Sequence, residues 1–348
     1  MQTRNRVAAP EPTSHRASRQ WMLLLLSIAL FLALFTVYDQ VVHRKGLDYL
    51  WDTQLRFHRW ILEGVSVSPW QYRVFSPYVI EGIIRILQEL GHPAPHALVF
   101  VAFRVLQNTA IFTLCGLYWR RLGVSRNAII IGLMCLAWGM TYAGYRSHLA
   151  FDTYSDVVFY LIGGLLVLSR RDFWLVPLTA LAALNRETSA LLPFLLPAAR
   201  LEVRSRLHLD RKTTVIWIAG LLIFCIIYAG LRLTLGPRAI MTPYDRTIGL
   251  DLLFYNAANL YTYFSLFATF AFFPLLAMVR WKQWPHVLRR FFWVVMPIWV
   301  AVHIFASVVA EARLFLVPYV LILLPAALIS LGGEEGRLRR LAAKSSTG

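Results

Sequence analysis

The chain has 348 residues, is 58% apolar and 14% aromatic, and carries a formal net charge of +17. Most apolar residues fall in runs of about 18 to 25, the length that crosses a bilayer as a helix, so composition argues against a soluble globular domain. The basic residues gather between those runs, which makes them a topology signal and a contact for membrane lipids, with no nucleic acid expected as partner.

Residues 1–20 are polar, basic and Pro-containing, and read as a disordered cytoplasmic tail. The run 21–38 crosses outward; Arg4, Arg6, Arg16 and Arg19 precede it as in a signal peptide, but no small-residue cleavage site follows, so a retained span is expected. Residues 39–96 contain no good span and form a first outer loop with two interfacial helices. In 49–63, Asp52, Arg56, Arg59 and Glu63 share one stripe; in 77–90, Ser76 is placed to cap, Pro77 suits the first turn, and Glu81, Arg85, Gln88 and Glu89 make the polar face. Spans are expected at 97–119 inward, 127–145 outward and 157–169 inward, with Arg120-Arg121 and Arg170-Arg171 at the cytoplasmic ends.

The next segment is the most informative. Two apolar runs, 173–184 and 189–199, flank Asn185-Arg186-Glu187-Thr188. Each makes a helix of roughly 18 Å against a hydrocarbon core of about 30 Å. A single straight helix would put basic clusters on both faces; a hairpin keeps both cytoplasmic and lifts Arg186 and Glu187 into the membrane, where ionisable groups are costly unless buried in protein or lining a cavity. Spans 213–235, 254–279, 291–310 and 314–331 follow, with Arg280, Lys282, Arg289 and Arg290 at a cytoplasmic turn and a charged tail over 332–348. The expected fold is an all-α polytopic membrane bundle of about eight full spans. To these are added a re-entrant or broken-helix hairpin and two interfacial helices, as one integral domain over 21–331 with both termini cytoplasmic. Cys115, Cys135 and Cys225 lie in apolar runs without metal-ligand spacing and read as small core residues.

This topology brings polar and charged residues to the outer face from four places: Asp39 and the long loop it opens, with Tyr72 and Arg73; the second outer loop, where Arg146 and Ser147 precede His148 and Asp152; the hairpin's Asn185, Arg186 and Glu187; and the final turn Glu311-Ala312-Arg313. Carboxylates serve as general bases and arginines present a planar fork suited to phosphate, so a shared cavity suits transfer from a phosphate leaving group. Each residue also has a structural reading, as an ion pair, an interface anchor or a turn residue. Arg104, Gln107 and Asn108 inside 97–119 form a separate polar patch, read as helix packing with cavity lining as the alternative.

The arrangement resembles the GT-C superfamily of integral-membrane glycosyltransferases, which use polyprenyl-phosphate sugars. The resemblance covers most of the chain as topology; locally it rests on Asp39, Gln71-Tyr72-Arg73-Val74-Phe75-Ser76-Pro77, Asn185-Arg186-Glu187-Thr188 and Glu311-Ala312-Arg313. Against that superfamily, the first outer loop lacks the usual adjacent acidic pair, and no large extracytoplasmic C-terminal domain is expected after the spans. The resemblance implies an inverting single displacement on the outer face of the plasma (inner) membrane. Asp39 would be the first candidate base, with Asp152 second and Glu187 as base or as the residue orienting Arg186. Arg186, with Arg73 or Arg313, would hold the donor phosphate; Asn185, His148, Glu311 and Tyr72 would support. The implied partners are a polyprenyl-phosphate sugar donor and a glycan or lipid acceptor, with no certain cofactor and a divalent metal as an option. The competing classes are a secondary transporter or lipid-sugar flippase, which also uses broken helices, and a non-catalytic envelope subunit.

Overall fold

A computed structural model describes residues 15–93, 95–143, 148–203, 207–242 and 245–332. Most of the expected tails, together with Arg146 and Ser147 of the second outer loop, lie outside the described residues.

Among the described residues the chain is a helical bundle. Its only ladder is a two-residue antiparallel pair, Glu202 with His208 and Val203 with Leu207. The helices are α1 His15–Val37, α2 Leu55–Leu62, α3 Phe75–Glu89, α4 Pro95–Arg121, α5 Arg126–Ala143, α6 Phe151–Leu168 and α7 Leu175–Ala183. They continue as α8 Leu195–Arg200, α9 Arg211–Leu235, α10 Leu250–Ala258, α11 Leu260–Phe270, α12 Phe273–Val279, α13 His286–Ala306 and a last span, α14, over Ala312–Gly332. Six helices, α1, α4, α6, α9, α13 and α14, are long and apolar enough to cross a membrane. The remaining expected spans depart from straight, fully apolar helices. The segment expected as one span over 254–279 is broken twice. Asn259 ends α10 and caps α11, accepting the Tyr261 N–H at 3.0 Å, and Ala271 takes a left-handed φ of 47° before Pro274 opens α12, so α11 and α12 meet at 75°. As one bent unit they bring the number of candidate spans to seven. The span expected at 127–145 appears as α5, only 18 residues long and opened by the polar pair Arg126-Asn127.

The last long apolar helix is the central post: 83% of its most apolar window is buried, against 17% for α9, which stands at the rim of the bundle. Tyr118 and Trp119 on α4 reach it, donating to the carbonyls of Leu321 and Val320 at 3.0 and 2.9 Å where its backbone widens over Tyr319–Leu323. Without a hydrophobic drive between helices in lipid, close backbone approach at small residues does much of the joining. A Cβ on Gly139 of α5 would stand 2.0 Å from the Thr269 carbonyl oxygen of α11, so only glycine permits this crossing. The two interfacial helices form largely as read, the first opening with a wide turn over Leu50–Gln54. In α3, however, Ser76 does not cap: the helix starts at Phe75, and the Ser76 hydroxyl lies 3.0 Å from the Ser155 hydroxyl on α6.

Candidate functional site

Two backbone breaks create the site. Ala150, left-handed at φ 51°, turns the chain directly into α6. The helix therefore begins six residues before the expected 157, so Asp152 and Thr153 sit on its buried first turn instead of in a loop, with Asp156 buried one turn on. The hairpin is present: α7 ends at Ala183, whose preceding carbonyl, Ala182, accepts the N–H groups of both Asn185 and Arg186 at 3.0 and 3.1 Å. Arg186 is then fully extended, and a tight helical turn restarts at Glu187. This tip is fixed to α6 by three bonds: Asn185 Nδ2 to the Asp152 carbonyl at 2.7 Å, Arg186 Nη1 to Thr153 Oγ1 at 2.8 Å, and Thr188 Oγ1 to Asp156 Oδ2 at 2.7 Å.

The long loop closes over the tip. The Phe75 N–H donates to the Leu184 carbonyl at 3.0 Å, and the Tyr72 hydroxyl donates to the Gly236 carbonyl at 2.9 Å. Between these anchors Arg73 divides its guanidinium: Nη1 bonds Asp152 Oδ2 at 2.7 Å, while Nη2 and Nε bond Glu187 Oε2 at 3.0 and 3.3 Å. Burial opposes its charge, but Glu187 and Asp152 outweigh burial and hold the guanidinium pKa above its ordinary value. Arg186 lies behind, its Nε 3.9 Å from Asp152 Oδ2 and buried without a hydrogen-bond partner. Arg232 of α9 completes the cluster, 3.7 Å from Glu187 Oε1 and stacked over the Tyr228 and Tyr72 rings at 3.5 and 4.4 Å.

These groups open onto a cavity of about 460 Å³. Its charged side carries Arg73, Arg186, Glu187, Arg313 and Glu311; Ile240, Ile248, Val302 and Val308 make an apolar side. Arg313 is ion-paired with Glu311. The wall thus offers cations to an anion next to a surface for hydrocarbon, as an amphiphilic ligand needs.

Most of the expected residues therefore meet. Arg73, Arg186, Glu187, Arg313 and Glu311 line the cavity, with Asp152 and Asn185 directly behind it and Tyr72 beneath Arg232. Two stand apart. Asp39 is bonded to Arg44 at 2.6 Å, and that guanidinium lies over the Tyr142 ring; Asp39 does not line the cavity. His148 stacks on Phe57 with centroids 4.0 Å apart, accepts the Ala150 N–H at Nδ1, and lines a smaller enclosed space of about 20 Å³ on the far side of Arg73. Burial, then nearby Arg313, pushes the His148 imidazole down to about 3. The patch on α4 is glue: Gln107 donates to the Phe151 carbonyl and the Ser155 hydroxyl, Asn108 to Thr36, and Arg104 lies 3.7 Å over the Tyr154 ring.

Sequence reading gave no role to Thr153 or to Thr188, the last residue of the hairpin tetrad, and missed Arg232 and His303 altogether. Arg232 had a signal, a lone cation one helical turn after Tyr228 near the outer end of an apolar run. His303, whose ring Nδ1 lies 2.8 Å from the Trp299 carbonyl, had none beyond its place on a span. Among the described residues no three His, Cys, Asp or Glu side chains gather as a metal site. No family model, curated protein or solved structure matches the chain.

Proposed function

We propose that the chain is a membrane glycosyltransferase of GT-C type. It moves a sugar from a polyprenyl-phosphate donor to a lipid-linked or envelope glycan acceptor at the outer face of the plasma membrane. The reading includes both termini in the cytoplasm, an outward cavity, and the full set of expected spans with the bent and short ones counted in. The observation that carries it is the convergence of Arg73, Arg186, Arg313 and Glu187 on one cavity with an apolar side.

In this reading the donor's lipid tail lies along the apolar side and its phosphate sits among Arg186, Arg313 and the exposed edge of Arg73. The buried Nε of Arg186 is a donor awaiting an acceptor. Asp39, held by Arg44 away from the cavity, is not the base. Asp152, enclosed by Arg73 and Arg186, positions them both. Glu187 faces the cavity and is the base: it takes the acceptor hydroxyl proton as the new carbon–oxygen bond forms at the anomeric carbon. The bond to the phosphate oxygen breaks with its electron pair passing to the polyprenyl phosphate, and the arginines stabilise that growing charge. One displacement inverts the configuration. The polar groups gather at one end of the bundle, at the hairpin tip, which supports a one-sided reaction chamber over a transporter's two-sided midplane site.

The test uses a ligand that needs no knowledge of the sugar. Polyprenyl phosphate should stabilise the purified full chain against thermal unfolding far more than polyprenol does, and Arg186→Lys should lose that difference. Equal effects of the two lipids would overturn the reading.

A further inference from the structure

A second polar site lies at the other end of α9. That helix has 25 residues and is about 37 Å long, with the cavity at its Tyr228–Arg232 end. At its first turn, Arg211 and Lys212 meet Arg170, Arg171, Phe173 and Trp174 around two adjoining depressions of about 270 and 520 Å³, which share Phe173 and Lys212. All four basic side chains are exposed, and among the described residues none of them makes an ion pair. The neighbouring acids are already committed. Asp172 binds Arg200 at 2.8 Å, and Asp210 accepts the Thr213 N–H at 2.7 Å as the cap of α9. Arg200 neutralises Asp172, and Asp210, which caps α9 beside Lys212, offsets only part of the charge of the four cations, so the groove keeps a net positive charge. Its floor is apolar, Val215 and Ile216, and its rim carries Phe173 and Trp174, 67% and 60% exposed.

We propose that this groove binds the headgroup of an acidic phospholipid. The lipid phosphate sits between the Arg170-Arg171 and Arg211-Lys212 pairs, the first acyl carbons run over Val215 and Ile216, and Phe173 and Trp174 mark the level of the membrane interface. A free phosphate would use the cations alone. The apolar floor, the exposed aromatic rim and the lipid-facing α9 that continues from it are what commit the site to a lipid. The proposal is independent of any transfer reaction.

The test is quenching of Trp174 by brominated lipid, read as the difference between the full chain and its Trp174→Phe variant. Both are reconstituted in unbrominated phosphatidylcholine that contains increasing fractions of either brominated phosphatidylglycerol or, in parallel, brominated phosphatidylcholine. Phosphatidylglycerol should quench Trp174 at a several-fold lower mole fraction than phosphatidylcholine. Each charge removed should weaken that preference about five-fold, and Arg211→Gln with Lys212→Gln should abolish it. These positions are exposed, so the variants keep the fold. Equal quenching by both lipids overturns the proposal, as does a preference that survives the double variant. Loss of the preference on adding inorganic phosphate would identify a soluble phosphate ligand and overturn it too.

Discussion

Arg73 holds two carboxylates that should respond oppositely to the same chemical change. Asp152 is bonded at 2.7 Å with its side chain 9% exposed, whereas Glu187 is bonded at 3.0 Å and is 29% exposed. Converting either to its amide keeps the shape and removes the charge. At Asp152 this leaves Arg73, and Arg186 at 3.9 Å, without their shared counter-charge in a dry site. Breaking a buried pair from one side costs about 3–5 kcal/mol. A Coulomb estimate agrees, since unit charges 4 Å apart attract by about 4 kcal/mol at an effective dielectric near 20. At Glu187 water reaches the pair and Arg73 keeps Asp152, so Glu187→Gln should cost only about 1 kcal/mol, in the range of exposed pairs.

Activity should rank the other way. On the proposed reading, Glu187→Gln should abolish transfer in a protein that still folds, while Asp152→Asn should lower stability first and turnover through misplaced arginines. Denaturant unfolding of both variants in one detergent, beside transfer measured on the same preparations, separates the two roles. If Glu187→Gln is as destabilising as Asp152→Asn, the division into anchor and base is wrong. If it retains transfer, the base is another group.

Gly139→Ala should destabilise by at least about 1–3 kcal/mol, because its Cβ collides with the backbone carbonyl of Thr269 and cannot be accommodated by a rotamer change; unfolding of the variant in detergent checks it. His148 titrates at about 3 when folded against 6.5 when free, so the unfolded chain binds the extra proton between those values. Its stabilising effect is complete above pH 6.5 and is lost as pH falls towards 3, with a slope of up to about 1.4 kcal/mol per pH unit. A His148→Gln variant should show a shallower loss over that window, and parallel curves would refute the assignment. Arg186→Lys should weaken polyprenyl phosphate binding more than ten-fold, about 1.4 kcal/mol, because an ammonium cannot keep the Thr153 bond and also offer a fork to phosphate; the thermal-shift titration measures this. A cysteine introduced at Glu187 should react with an impermeant thiol reagent only from the outer face, and reaction solely from the cytoplasmic side would invert the topology.

Run length was sufficient for the six helices long and apolar enough to cross a membrane and for the break between α7 and Glu187, because apolar runs and their interruptions act locally. It failed where tertiary contacts decide the backbone. Asp152 reads as a loop residue, yet it lies in the first turn of α6, where the hairpin's Asn185, Arg186 and Thr188 bond the Asp152 carbonyl, the Thr153 hydroxyl and the Asp156 carboxylate. Pro274 hinted at the break in 254–279, but the left-handed Ala271 did not announce itself. Asp39 misled for a different reason: an acid at the end of a span is equally suited to a cavity and to a neighbouring arginine, and Arg44 five residues on claims it. The carriers of charge at the hairpin and Asp152 on α6 were legible as candidates, whereas Arg232 on α9, the second cation beside Glu187, was not singled out.

The hairpin explains why the charges are where they are. A continuous helix at Arg186 would bury every backbone group in its own ladder and place one long side chain at a depth set by register. Breaking it lets Ala182 take two amides, frees Arg186 to run extended, and turns Glu187 towards the loop that carries Arg73. The ion cluster in turn makes the break tolerable, since irregular backbone at membrane depth persists only where protein or a cavity satisfies it. Break and cluster are therefore one device. Asn185→Ala, which removes the 2.7 Å bond to the Asp152 carbonyl but no charge, should loosen both: thiol labelling at position 187 should speed up and thermal stability fall by about 1–3 kcal/mol. Unchanged labelling with unchanged stability would show that the ion pairs alone hold the tip in place.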